Sequence, residues 1–558
     1  MATTWRTTRI SQFSEEDYDL VVIGGGATGC GIALDAVTRG LKTALIEKND
    51  FASGTSSRST KLIHGGLRYL KQFEISLVRE TGSERAIVHK LAPHLVVPEK
   101  MLLPIIENGT YSKSLTSLGL KVYDVLAGVK KEDRRKMLNK AQTLEKEPLL
   151  NPTVVKGGGY YAEYRTDDAR LSLELIKTAV QKGVHAANYV EGIDFIYGEV
   201  NGEKKIRGII CQDSLTQDTF QLKAKQIINA AGPWVDELRK TNQSLSGKHL
   251  HLTKGVHIVL PHVVFPVRQS VYFDSPDGRM VFAIPRGKIT YVGTTDTDYK
   301  GDKHHPRTTQ EDIAYLLQAV NHLFPGLDIQ KESIISSWAG LRPLVHEEGK
   351  SASEISRKDE IFFSESGLIS IAGGKLTGYR KMGQRVVNAA LKAMDRKHVP
   401  SKTHRITLCG GEFDDFDEVK AFKEALREKL SQGELPDYYA DYLVGNYGKQ
   451  VVGVLSNFEE QDEADKELAL LLAELQFAIE KEMVLYPTDF FIRRTGRLYF
   501  DIESVYTYKL PIIRYFAQHF AWSEQELQEA ENQLDRALTE ASTFPPEQQE
   551  KVLQKVES

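Results

Sequence analysis

The chain has 558 residues, which exceeds one ordinary domain and predicts two or three domains with sizeable cores. Its formal net charge of −4 argues against nucleic acid as a partner. Three scattered cysteines without C-x-x-C spacing indicate neither a disulfide framework nor a metal site, and they fit a reducing cytoplasm. Residues 1–19 lack a signal-peptide core and are expected to form a loosely held lead-in, and no apolar run has the length of a membrane-spanning helix.

A dinucleotide-binding pattern follows this lead-in. Residues 20–23 are an aliphatic run typical of a parallel strand buried on both faces. The next residues carry the G-x-G-x-x-G spacing at Gly24, Gly26 and Gly29. Residues 27–39 predict a helix whose first N–H groups and dipole would hold a pyrophosphate. A second strand at 41–46 ends at Glu47, the acidic residue expected to bind ribose hydroxyls.

A hydroxyl-rich loop comes after Glu47. Serines and threonines crowd together there between glycines, and this composition predicts a loop whose hydroxyls and backbone amides face the dinucleotide. His64 then adds a titratable side chain beside two glycines. Arg68 and Tyr69 follow, offering a cation and a phenol.

Two later strands bring polar groups towards the same ligand. Residues 226–234 predict a buried strand ending in Ala231 and Gly232, whose small size leaves room for a cofactor at the carboxyl edge of the sheet. Residues 254–260 predict a strand that carries two ionisable side chains, Lys254 and His257.

The last third of the chain adds an arginine, a further glycine turn and many helices. Arg342 stands between a glycine and a proline, so its backbone is expected to be rigid. Residues 368–372 predict a strand that ends at a glycine pair and Lys375, with a helix at 379–392. From about residue 401 the chain is charged and mostly helical, which indicates an appended helical domain.

Residues 113–140 combine lysines and arginines with regularly spaced leucines. An amphipathic basic helix of this kind either packs one face on a core and solvates the other, or lies on an anionic membrane surface. The sequence leaves both interpretations open.

Seven segments, in this order, resemble FAD-dependent glycerol-3-phosphate dehydrogenases, which share the structural group of glycine oxidase and D-amino-acid oxidase. They are VVIGGGATGCGIALDAVTRG, TSSRSTKLIHGGLRYL, NAAGPWVD, KGVHIVLP, VGTTDTDYKGD, AGLRPL and GGKLTGYRK. The resemblance covers nearly the whole chain. It implies an α/β fold with a Rossmann-like FAD-binding domain (1–92, 150–245 and 340–395), an inserted mixed-sheet substrate domain (93–149 and 246–339) and a C-terminal helical domain (396–558).

The resemblance also implies an activity. Family members oxidise sn-glycerol 3-phosphate to dihydroxyacetone phosphate: the C2 hydride passes to FAD, and the reduced flavin gives its electrons to a membrane quinone. A cytoplasmic protein attached to the inner face of the cell membrane is therefore expected, with no metal and no nucleic acid, and a homodimer remains open.

Residue roles follow from the same resemblance. Arg68, Tyr69, Arg357 and Lys375 match positions that surround the substrate phosphate, where clustered cations bind a dianion. Arg342 matches an arginine that stabilises an alkoxide or the reduced flavin. His64, Lys254 and His257 remain alternative bases for the hydroxyl proton. FAD contacts are implied at Gly24, Gly26, Ala27, Thr28, Gly29, Glu47, Thr55, Ser56, Ser57, Lys61, Leu62, His64, Ala231, Gly232, Trp234, Gly374, Leu376 and Thr377.

Other functions are also compatible with these motifs. A glycerophosphate oxidase would pass electrons to O2 and release H2O2, but such oxidases carry a mid-chain insertion, and residues 295–342 show no extra segment. An amino-acid oxidase would use Arg342 for a carboxylate, whereas the additional cations Arg68 and Lys375 favour phosphate. A flavin-containing scaffold whose helical tail recruits a partner would show no turnover. Arg342 and His257 also have structural alternatives, as a loop anchor and as a hydrogen-bonded core side chain.

Overall fold

A computed structural model describes residues 2–64, 75–107, 109–110, 135–346, 358–432 and 435–547. Three predicted substrate-binding residues, Arg68, Tyr69 and Arg357, lie outside the described residues. Most of the basic stretch at 113–140 also lies outside them, so the two interpretations of that stretch both stay open.

The structure contains two β-sheets, helices that pack against them, and a helical C-terminal region. In chain order the strands are β1 (Asp17–Ile23), β2 (Thr43–Glu47), β3 (Leu62–Ile63), β4 (Val97–Ile106), β5 (Lys136–Asn139), β6 (Val155–Arg165), β7 (His185–Asn188), β8 (Val190–Val200), β9 (Glu203–Asp213), β10 (Thr219–Asn229), β11 (Leu250–Pro261), β12 (Ser270–Asp274), β13 (Met280–Arg286), β14 (Ile289–Gly293), β15 (Thr297–Asp298), β16 (Ser336–Val345), β17 (Asp359–Phe363) and β18 (Ile369–Gly373). The helices are α1 (Ala2–Glu15), α2 (Ala27–Thr38), α3 (Ile75–Leu91), α4 (Lys140–Lys146), α5 (Asp168–Gln181), α6 (Val235–Thr241), α7 (Gln310–Leu323), α8 (Tyr379–Ala393), α9 (Phe416–Gln432), α10 (Tyr438–Tyr447), α11 (Val451–Glu459), α12 (Lys466–Lys481), α13 (Pro487–Asp489), α14 (Arg497–Phe500), α15 (Ile502–Phe520) and α16 (Glu524–Ser542).

The first sheet is built around β1. The parallel strands lie in the order β7, β2, β1, β10 and β18, with Val21 paired to Ala44 on one side and Ile227 on the other. Antiparallel strands extend it, since β17 pairs with β18 and the β8–β9 hairpin pairs with β10. Helices α2, α5 and α8 cover one face. The side chains of the aliphatic run predicted at 20–23 are buried alternately in the cores on the two faces of the sheet.

The second sheet is mixed and contains β11–β16 together with β3–β6. Strand β4 pairs in parallel with β12 and antiparallel with β6. The sequence division groups residues 1–92 and 150–245 with the first sheet, yet β3 and β6 lie in the second. Their partners are set by tertiary packing, which the composition of a single strand does not display.

The C-terminal region is helical from α9 to α16, as the sequence predicts. Helices α12 and α15 pack apolar side chains against the second sheet in one core, while α9 to α11 form a separate core with α12. Across the described ranges, no helix is both long and apolar enough to cross a membrane.

The expectation of a loosely held lead-in is wrong. Residues 2–15 form helix α1, whose Phe13 is fully buried beside Tyr18. Arg6 also points inwards: its guanidinium pairs with Asp213 at 2.5 Å and donates to the Asn188 carbonyl at 3.0 Å. The sequence of this segment is mostly polar and gave no sign of the docking, which rests on Phe13, Ile10 and one buried ion pair.

We expect Arg6→Ala to lower the free energy of unfolding by about 3–5 kcal/mol, because Asp213 would remain buried without its cation. Urea denaturation of the holoprotein measures the change. Ser11→Ala, at an exposed position of the same helix, is the matched control and should change the free energy by no more than about 0.5 kcal/mol. Equal losses in the two variants would contradict the anchoring role of Arg6.

Candidate active site

A cleft of about 390 Å³ opens where the carboxyl ends of β1, β2, β10 and β18 meet. This edge is where doubly wound sheets bind their ligands. Many of the residues implied as FAD contacts line the cleft, namely Gly24, Gly26, Ala27, Thr28, Glu47, Thr55, Ser56, Ala231, Gly232, Trp234, Gly374 and Leu376. Lys375, predicted to bind substrate, lines it as well.

The glycines shape the turn between β1 and α2. Gly24 has φ +112°, and a Cβ atom there would lie 2.5 Å from the carbonyl oxygen of Ala230. A Cβ at Gly29 would lie 1.9 Å from the Gly24 carbonyl oxygen, so Gly29 serves helix packing and does not line the cleft. At the start of α2 the Ala27 N–H donates to the Ser56 hydroxyl at 3.0 Å. The helix N-terminus therefore faces the cleft with a hydroxyl beside it.

Glu47, the last residue of β2, binds the backbone of this turn. Its carboxylate oxygens accept the Gly25 N–H at 2.7 Å and the Asn49 N–H at 2.9 Å. Burial raises the pKa of the Glu47 carboxyl, although these two backbone donors act to lower it. A carboxylate oxygen accepts more than one hydrogen bond, so ribose hydroxyls can bind here together with the backbone.

Trp234 lines the cleft, and its indole N–H is buried without a hydrogen-bond partner. The Lys48 ammonium lies 4.7 Å from the centre of its ring. An orphaned buried donor, a helix N-terminus that faces the cleft and a carboxylate at the end of β2 together fit an adenine dinucleotide such as FAD.

Three further residues implied as FAD contacts, Lys61, Leu62 and Thr377, are not among the residues that line the cleft. The Lys61 ammonium is buried against Asp168 and donates to the Ser57 carbonyl at 3.2 Å. Leu62 is a core residue of β3, and Thr377 is buried in the turn before α8. Their role as FAD contacts therefore stays a prediction.

A second group of predicted residues shares one face of the second sheet. Paired residues on antiparallel strands point to the same side, and the pairs here are Gly255 with Gly340, Thr253 with Arg342 and His257 with Trp338. On this face a Cβ atom at Gly340 would lie 2.4 Å from the Arg58 carbonyl oxygen, and Arg58 follows the cleft residues Thr55 and Ser56. This face therefore packs against the loop that lines the dinucleotide site.

Arg342 lies flat on the strand beside it. Its guanidinium donates to the Thr294 hydroxyl at 2.8 Å and the Thr295 carbonyl at 3.2 Å, and it pairs with Asp296 at 3.2 Å. A Cβ atom at Gly255 would lie 2.2 Å from Nη2 of this guanidinium. The cation is therefore fixed in position, and Gly255 provides its space.

His257 is buried beside this arginine. Its ring stacks on Trp338 with 4.8 Å between centroids, and its Nε2 lies 2.9 Å from the Thr60 hydroxyl. Burial, together with the positive charges of Arg342 and Lys61, holds the pKa of the imidazole well below its usual range. His257 is therefore neutral at pH 7.

His64 and Lys375 connect this face to the cleft. The Lys375 ammonium donates to the His64 carbonyl at 2.8 Å, and the His64 ring meets the edge of Phe282 with 5.4 Å between centroids. Phe282 pairs with Gly293 across β13 and β14, and Gly293 pairs with His257. The structure thus brings His64, His257, Arg342 and Lys375 together.

Lys254 is separated from this group. It alternates with Gly255 along β11 and points to the opposite face of the sheet. There its ammonium is buried, paired with Asp312 of α7 at 2.8 Å and bonded to the Arg307 carbonyl at 3.0 Å. As a candidate base, Lys254 therefore lies on the face opposite Arg342 and His257, with its ammonium held by Asp312.

Sequence reasoning missed several residues of the site. Gly255 and Thr294 stand inside the segments KGVHIVLP and VGTTDTDYKGD, where a glycine before a strand histidine was the available signal. The cleft residues Val190 to Ile193 and Glu237 carried no signal, because β8 and α6 reach the cleft only through tertiary packing.

Comparisons with known proteins support the same assignment. A family model for FAD-dependent oxidoreductases matches residues 19–380, and a model for the C-terminal domain of alpha-glycerophosphate oxidase matches residues 401–527. The aerobic glycerol-3-phosphate dehydrogenase of Bacillus subtilis (strain 168) is 50% identical over 544 residues, covering 96% of this chain and 97% of the relative.

Solved structures show the same relationship. Glycerol-3-phosphate dehydrogenase from Bacillus halodurans, determined in complex with FAD, is 45% identical with a TM-score of 0.82, covering 96% of this chain and 98% of that chain. L-alpha-glycerophosphate oxidase from Mycoplasma pneumoniae, determined with FAD bound, is 21% identical with a TM-score of 0.53, covering 69% of this chain and 97% of that chain, and shows a shared fold. The predicted fold class and FAD as cofactor are confirmed. The protein therefore belongs to the family of FAD-dependent glycerol-3-phosphate dehydrogenases.

Proposed function

We propose that the protein oxidises sn-glycerol 3-phosphate to dihydroxyacetone phosphate and that its electrons pass to a membrane quinone. The observation that carries the proposal is the fixed Arg342 guanidinium beside the dinucleotide cleft, with Lys375 and a neutral histidine next to it. FAD, when bound in the cleft, supplies the acceptor for the two electrons removed from C2 of the substrate.

The chain's own residues would bind and orient the substrate. Lys375 places a positive charge where the cleft meets the second sheet, which suits a phosphate dianion. The proposal adds Arg68, Tyr69 and Arg357, which lie outside the described residues, as further phosphate ligands. Arg342 would then face the hydroxyl at C2, where its charge stabilises the developing alkoxide.

Two histidines remain as proposed acceptors of the hydroxyl proton. His257 is neutral, and its Nε2 is oriented by the Thr60 hydroxyl. His64 is half-buried and joined to Lys375 through its carbonyl. The depressed pKa of His257 keeps its imidazole unprotonated, as a base requires, but it also makes the imidazole a weaker proton acceptor, so both histidines stay in the proposal.

The electron acceptor and the cellular location are part of the proposal. Relatives that are 50% and 49% identical are named aerobic glycerol-3-phosphate dehydrogenase. Because they are named dehydrogenases and not oxidases, a quinone in the membrane is favoured over O2 as the acceptor. We accordingly propose a cytoplasmic protein at the inner face of the membrane, with the basic stretch at 113–140 towards anionic lipid. The alternative is a glycerophosphate oxidase that uses O2 and releases H2O2, since the C-terminal family model carries that description.

Anaerobic mixing with glycerol 3-phosphate tests the reaction and the acceptor. We expect the visible absorbance of the flavin to bleach, and a soluble quinone to restore it much faster than O2 does. Rapid recovery in O2 with formation of peroxide would select the oxidase. Absence of bleaching would contradict the substrate assignment.

Arg342→Ala and Lys375→Ala should each retain FAD and lose about 10²–10³-fold in kcat/KM, because each removes a charge aimed at the substrate. Arg342→Lys should recover only part of the loss, since an ammonium lacks the planar fork of the guanidinium. Lys300→Ala, at an exposed position, is the control and should match the wild type. Steady-state kinetics and the flavin absorbance of the purified variants decide the outcome, and wild-type kinetics in both alanine variants would contradict the roles.

Gly255→Ala should lower kcat/KM by about 10²-fold, because a displacement of a catalytic group by about 1 Å costs that much. The added methyl group would push the Arg342 guanidinium away from the strand. Gly326→Ala is the control, since a Cβ there meets no atom within 4 Å. Bound FAD should be unchanged in both variants, and unaltered kinetics in Gly255→Ala would show that the position of Arg342 does not matter.

A further inference from the structure

A cluster of buried charges joins the FAD-binding domain to the C-terminal helices. Its carboxylates and cations are equal in number and no more than 9% exposed: Asp50, Glu174, Glu482 and Asp489 against Arg170, Lys177, Arg493 and Arg494. Arg170 and Lys177 of α5 bind Glu482 at 2.8 Å, across the boundary between the two domains. Buried charges of opposite sign hold such a boundary tightly, because separating them leaves each uncompensated.

Asp50 is the member of this cluster that belongs to the same loop as the cleft residues Lys48 and Ser53. Both of its oxygens accept from Arg494, at 2.5 and 2.9 Å, and Arg493 binds the same carboxylate. The Asn188 amide donates to Asp50 at 3.0 Å and to the Met483 carbonyl at 2.9 Å, so it links the two domains as well.

The loop that carries Asp50 also carries the cleft residues. Asp50 stands three residues after Glu47, and Thr55 and Ser56 follow in the same loop. The Ala52 N–H donates to the Gly25 carbonyl at 3.0 Å, so the position of this loop and that of the glycine turn are fixed together. A change in the position of Asp50 is therefore expected to shift both the loop and the glycine turn, which line the dinucleotide site.

We propose that Arg493 and Arg494 of the C-terminal domain are positioning residues for FAD: through Asp50 they hold the 47–57 loop in its binding conformation, and domain docking and FAD retention are coupled. The inference rests on the proposed placement of FAD in the cleft. Such coupling is reciprocal, so bound FAD stabilises the docked C-terminal domain to the same extent.

Release of FAD from the holoenzyme, followed by the rise of flavin fluorescence on dilution, tests the coupling. Arg494→Lys keeps the charge but loses the two-point contact with Asp50, and it should speed release by about 10-fold or more. Arg497→Lys is the matched control. Arg497 is an equally buried arginine of the same region, but its partner Glu474, at 3.3 Å, belongs to the C-terminal domain itself. It should leave the release rate within about twofold of wild type.

A second set of variants keeps the result independent of folding defects. Asp50→Asn preserves the size of the side chain and should speed release as Arg494→Lys does. In both variants added FAD should raise the melting temperature less than it does in Arg497→Lys. Equal release rates in the Arg494 and Arg497 variants would overturn the proposal.

Glu47→Gln separates failure of the inference from failure of the placement of FAD. If Glu47→Gln speeds release and Arg494→Lys does not, FAD lies in the cleft but the domains are uncoupled. If neither variant changes the release rate, both the placement and the coupling are wrong.

Discussion

A parallel sheet covered on both faces leaves only its carboxyl edge open to a ligand, and the rest of this protein is arranged around that edge. Strands β1, β2, β10 and β18 end side by side, and each continues into a turn or loop that forms one wall of the cleft. The second sheet then meets this edge at Pro343, so that a dinucleotide and a small substrate would share one boundary.

Charge is used in two ways around this boundary. At the site itself the cations Arg342 and Lys375 are partly exposed and lie next to the cleft. Away from it, cations such as Arg170 and Arg494 are buried and fully matched by carboxylates. Because buried pairs of opposite charge cancel in the sum, the net charge of −4 gives no hint of a local anion site. The substrate would meet a local positive field inside a protein that is weakly acidic overall.

The sequence allowed the prediction of features that are encoded locally. The glycine turn at Gly24, the carboxylate of Glu47 and the helical C-terminal region follow from spacing and composition, and the structure contains each of them. Pairing between distant segments was beyond reach. Lys254 and His257 lie on one strand, and alternation places them on opposite faces, but only the assembled sheet shows that His257 meets Thr60 and Lys254 meets Asp312. The docking of α1 was missed for the same reason.

The packing of the Arg342 guanidinium against the backbone of Gly255 affects the free energy of substrate binding. A long arginine side chain on a surface loses rotamer entropy when it engages an anion. Here the guanidinium is already immobilised by Thr294 and Asp296 and supported from below by bare backbone. The guanidinium N–H groups need no reorientation when negative charge develops beside them. The electrostatic stabilisation of that charge is therefore not offset by a cost of reorganisation. The absence of a side chain at Gly255, within strand β11, thus contributes to the preorganised electrostatic field of the site.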